Sequence, residues 1–123
     1  MIELLKLASS VDGASEGSEY LDFAIQRLFG LRKPIPEYTR SLDAAVSLIP
    51  PHWSIHRLSH THNGRGKFSG WTVELYQATE AMIDASVAAQ AATPALAICA
   101  AALRAREALR VSGGFATENL EAG

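Results

Sequence analysis

The sequence predicts an α+β fold, a three-layer α/β/α sandwich in which a small antiparallel sheet is covered by helices. Three observations carry this. Segments with helical apolar spacing stand towards both ends of the chain. Two alternating segments stand in the middle, joined by a stretch with Asn63-Gly64 and Gly66 that suits a hairpin. Those two strands lack a clean polar side near their centres, which predicts burial of both faces. The 123 residues fit one domain, and an apolar content of 48% supplies one core. Residues 1–111 are read as that domain, and 112–123 (SGGFATENLEAG) as a flexible tail.

The first helix covers residues 2–11, with Ile2, Leu4, Leu5, Leu7 and Ala8 as its apolar side. DGASEGS is a turn by composition. Ser18 opens a second helix, SEYLDFAIQRLFG, whose Leu21, Ile25, Leu28 and Phe29 recur on one face. Gly30 is its natural stop. LRKPIPEY carries two prolines and is extended or looped. Thr39 or Ser41 caps a third, short helix with Asp43 in its first turns and Leu42, Ala45, Val46 and Ile49 inward. Pro50-Pro51 ends it.

HWSIHRLSH is the first strand. Its parity puts Trp53 and Ile55 on one face, and His52, His56, Leu58 and His60 on the other. GWTVELYQ is the second, with Trp71, Val73 and Leu75 opposed to Thr72, Glu74 and Tyr76. Residues 79–92 fit a strand, a helix or an ordered loop. Thr93-Pro94 is the N-cap and first residue of a long last helix. There Leu96, Cys99, Ala100, Ala102 and Leu103 face inward. Arg104, Arg106, Glu107 and Arg110 face water. The first half of that helix is apolar nearly all round, which predicts a buried element.

Three blocks in this order, SEYLDFAIQRLFG, YTRSLDAAVSLIPPHW and ATPALAICAAALRAR, resemble the small phage and prophage proteins of the phage ABA sandwich domain family. The resemblance covers roughly residues 3–108. It implies an α/β/α layered fold and a phage setting, and it carries no catalytic residues across.

The formal net charge of −2, from 11 basic and 13 acidic residues, argues against generic nucleic-acid binding. A single cysteine excludes an intrachain disulfide and fits a reducing compartment. MIELLKLASS lacks the pattern of a signal peptide, and AATPALAICAAAL is too short to span a bilayer. A cytoplasmic location is the expectation. No cofactor is implied.

Chemistry concentrates in HWSIHRLSHTHNGRGK, which holds all four histidines of the chain. Only His60 and His62 are spaced to share a metal ion, and no local thiolate or carboxylate completes a set, so no metal site is expected. Cys99, inside an apolar helix, reads as a small hydrophobe rather than a nucleophile. No P-loop or nucleophile elbow is present. The stretch instead suits an anion. Arg57, Arg65 and Lys67 supply charge, and His56 and His60 supply protonatable donors. Against this stands a plain polar hairpin with solvated charges. Two functions follow as expectations. One is a non-enzymatic binder of an anionic small molecule such as a host-defence nucleotide signal. The other is a protein–protein adaptor or inhibitor of a host protein. Either fits a homo-oligomer, through a sheet edge or the first helix.

Overall fold

The computed structural model describes residues 2–29, 35–62, 69–78 and 83–109. The elements are α1 (Ile2–Asp12), α2 (Glu19–Leu28), α3 (Leu42–Val46), β1 (Trp53–His62), β2 (Ser69–Ala78), β3 (Ile83–Ala91) and α4 (Pro94–Ala108). The strands form one antiparallel sheet in the order β1-β2-β3. The α+β class is therefore the observed one.

The centre of the molecule is α4. Thr93 caps it, accepting from the Leu96 amide, and Pro94 fills a first-turn position that needs no N–H. Every residue from Ala95 to Leu103 is buried. One side of α4 packs on β2 and β3, and other sides pack on α1 and α3. Alanine makes this possible, since short side chains let neighbours approach from all directions.

The second helical layer expected on the far side of the sheet is absent among the described residues. Val73, Leu75, Ala89 and Ala91 are buried towards α4. On the opposite face Thr72, Glu74 and Tyr76 are half-buried, and Ser86, Ala88 and Gln90 are exposed. That alternation belongs to a sheet with one wet face. β3 arises from the stretch that sequence left open. Val87, Ala89 and Ala91 share the inward face with their partners Leu75, Val73 and Trp71. Alanine on both faces hides this period-two pattern.

Three smaller expectations are corrected. Leu5 is 47% exposed, because the buried side of α1 is Leu4, Ala8 and Val11. At α3 it is Ala45, and Leu48 in the turn after the helix, that are buried, while Leu42 and Val46 are exposed. The helix has only five residues, and the turn that follows, not a longer helical face, aims Leu48 inward. The arginines of α4 do not simply face water. Arg104 pairs with Asp12 of α1. Arg106 donates to the Leu48 carbonyl at 2.7 Å and lies over the Phe29 ring. Gly30, residues 31–34, Arg110 and residues 112–123 lie outside the described residues.

A polar clasp fixes α2 to the loop before α3. Ser18, the N-cap of α2, and Asp22 and Gln26 within it stand four residues apart on one face. Asp22, only 1% exposed, accepts from the Thr39 amide and hydroxyl at 2.7 and 2.6 Å. It also accepts from Arg40 Nε at 2.9 Å. Thr39 Oγ1 in turn accepts from the Ser18 amide, and the Tyr38 hydroxyl donates to Gln26 Oε1 at 2.6 Å. Thr39 is thus a clasp residue, while Ser41 is the cap of α3. The Tyr38 carbonyl accepts from the Cys99 thiol, which ties the loop to α4.

Candidate functional site

β1 follows the turn after Pro50-Pro51. His52 sits in left-handed conformation at φ 71°, a region that histidine tolerates better than most side chains. The Trp53 amide donates back to the Pro50 carbonyl at 3.2 Å. Trp53 is then buried at 6% exposure, as a core residue and not a stacking platform. Its indole Nε1 has no hydrogen-bond partner among the described residues.

Between Ile55 and Arg57 the pairing with β2 slips. Ile55 opposes Leu75 and Arg57 opposes Glu74, so His56 is the extra residue of a β-bulge. The bulge changes parity. Trp53, Ile55, Leu58 and His60 share the helix side of the sheet with their partners Gln77, Leu75, Val73 and Trp71. Ser54, Arg57 and Ser59 share the open side with Tyr76, Glu74 and Thr72. His56 joins this open side, stacked on Tyr76 with ring centroids 4.1 Å apart and planes 9° apart. The expected grouping of His56 with Leu58 and His60 is therefore overturned. A break in the apolar pattern, odd at Trp53 and Ile55 but even at Leu58, is the signal that marks the slip.

The candidate anion-binding set divides accordingly. His56 and Arg57 stand together on the open face. His60 is on the other face, its ring 5.0 Å from that of Trp71 and tilted by 54°. Arg65 and Lys67 lie outside the described residues. The structure adds Tyr76, which sequence reading had passed over. A shallow depression of about 410 Å³ adjoins it on the open face, lined by Glu74, Tyr76, Ser86, Val87 and Ala88. Small side chains on β3 create it. Arg57 and Glu74 are direct cross-strand neighbours but form no salt bridge among the described residues.

The helix-side flank of β1 has a different character. α4 packs on β2 and β3, and Ile55 and Leu58 are left 38% and 37% exposed. Cys99 is fully buried, and desolvation pushes its thiol well above the ordinary range. A thiol held neutral in this way is a poor nucleophile. Among the described residues no group of three histidine, cysteine, aspartate or glutamate side chains converges as metal ligands do. No described helix is long and apolar enough to cross a membrane. Comparison with protein-family models, curated proteins and solved structures finds no match.

Proposed function

We propose that this chain is a small non-enzymatic binding protein whose open sheet face takes a planar anionic molecule of the nucleotide class. The observation that carries the reading is the His56–Tyr76 stack beside Arg57 on that face. A flat ring extends such a stack at little conformational cost. A guanidinium matches a phosphate bidentately. Glu74, next to Arg57, accepts from the N–H edge of a base. Arg65 and Lys67 follow β1 in sequence and provide further cations. His60 is left out, because it belongs to the other face. The phage resemblance fits a protein that sequesters a nucleotide signal of host defence, acting in the host cytoplasm. Burial of the sole cysteine supports binding over covalent chemistry.

The test is mass spectrometry of ligand co-purified with the native protein, followed by calorimetric titration with nucleotides. Arg57→Ala is expected to weaken binding by about 1.5–3 kcal/mol, the usual worth of a charged hydrogen bond, and to leave the melting temperature unchanged. Equal affinity in Arg57→Ala and Tyr76→Ala would remove this face from the site.

A second reading, a protein adaptor or inhibitor, rests on the exposed Ile55 and Leu58 beside the free edge of β1. An extended peptide can add to such an edge and cover both side chains. Loss of a captured protein partner in Leu58→Asp, with nucleotide binding absent throughout, would favour it.

A further inference from the structure

Two faces of α2 have opposite characters. Asp22, Ile25 and Gln26 are buried against the molecule. On the other side Tyr20 and Phe23 are 73% and 44% exposed, with Glu19 and Arg27 also exposed. Glu19, Phe23 and Arg27 are four residues apart and form one ridge, with Tyr20 and Ala24 on the ridge beside it. Next to them lies a shallow cleft of about 320 Å³, lined by Leu7 of α1 and by Ala24, Arg27 and Leu28 of α2. An exposed aromatic knob and an apolar hole therefore share one helix.

We infer that α2 is the contact between two copies of this chain, paired antiparallel about a twofold axis through Phe23. A twofold contact must be self-complementary, and this surface is. Antiparallel pairing sets the acidic first turn of one α2 against the basic last turn of the other, so Glu19 meets Arg27 of the second copy. Neither residue forms a salt bridge among the described residues. Phe23 meets its own copy. Tyr20 of each chain faces the turn Ala24–Leu28 of the other, where the cleft is. Ala24 lets the helices approach. The charges at the ends of α2 also suit the helix dipole. The dipole asks for no exposed aromatics between them, and exposed tyrosine and arginine are common at interface centres.

Sedimentation equilibrium of the full chain tests this, with circular dichroism confirming that each variant is folded. The wild type is expected as a dimer that dissociates on dilution. Phe23→Ser, Glu19→Lys and Arg27→Glu should each weaken association about tenfold or more. An equimolar mixture of Glu19→Lys and Arg27→Glu chains should associate more tightly than either alone, because both charge pairs are then restored across the axis. A wild-type monomer at the highest accessible concentration would overturn the inference, even if α2 captured a foreign protein. So would a dimer indifferent to Phe23→Ser and Arg27→Glu, or a mixture with no gain.

Discussion

Asp22 is a carboxylate withheld from water, and its acceptance of the Thr39 and Arg40 donors is what makes that tolerable. Truncating one partner of such a group strands the others. Asp22→Ala should cost about 2–4 kcal/mol in urea unfolding, by leaving the Thr39 amide and hydroxyl buried and unpaired. Gly17 belongs to the same clasp. A Cβ there would sit 2.0 Å from the Thr39 carbonyl oxygen, so Gly17→Ala must push backbone apart and should also destabilise. Neither residue stood out in the sequence. An aspartate four residues after a capping serine looks like an ordinary polar helix face, and its partners come from a loop seventeen residues on. Cys99, in contrast, was legible, because nothing polar surrounds it in its helix. Its thiol is held neutral by burial, so the native state keeps a proton that the unfolded chain gives up above about pH 8.5. Protons bound in the native state and lost in the unfolded state make stability fall as pH rises. The expected loss above that pH is up to about 1.4 kcal/mol per pH unit, and Cys99→Ala should flatten it. Native Cys99 should also resist thiol reagents until the protein is unfolded.

At the scale of elements, caps were the most readable feature. Ser18, Ser41 and Thr93 each accept from the amide three residues on. Each is a small hydroxyl residue directly before an apolar helical run, and that is local chemistry. The sheet was less readable. β3 was hidden by alanine, and the bulge in β1 moved His56 away from His60. A bulge is a property of pairing between two strands, and only the slip in apolar parity betrays it. Deleting His56 should be instructive. It removes the extra residue while leaving Trp53, Ile55 and Leu58 facing the helices. The shortened chain should fold with a stability change under about 1 kcal/mol, typical of an exposed position. It should lose the stack on Tyr76, and the proposed nucleotide binding with it. Leu103→Ala, at a fully buried position of α4, should cost about 2–5 kcal/mol.

The whole molecule is organised around α4, with the sheet on one side and the other helices beyond it. In sequence, the first half of this helix is apolar nearly all round, which predicts its burial. The strands show no clean polar side near their centres, which predicts helices on both sides of the sheet. The structure makes α4 the most deeply buried element, and no helix covers the far face of the sheet among the described residues. Hydrogen exchange should show the order, slowest in α4 and β2 and faster in β1, an edge strand with exposed side chains. The same placement has a consequence for how the protein is made. α1 finds its main packing partner some ninety residues later, since Asp12 must wait for Arg104. Until α4 is made, α1, α3 and the sheet lack the surface that most of their packing uses, beyond a small contact of α1 with β3. A nascent chain stopped at Ala92 would hold six of the seven elements and none of the centre. Completion of the core therefore waits for α4, and until then stretches such as IELLKLA and WTVELY remain open to chaperones.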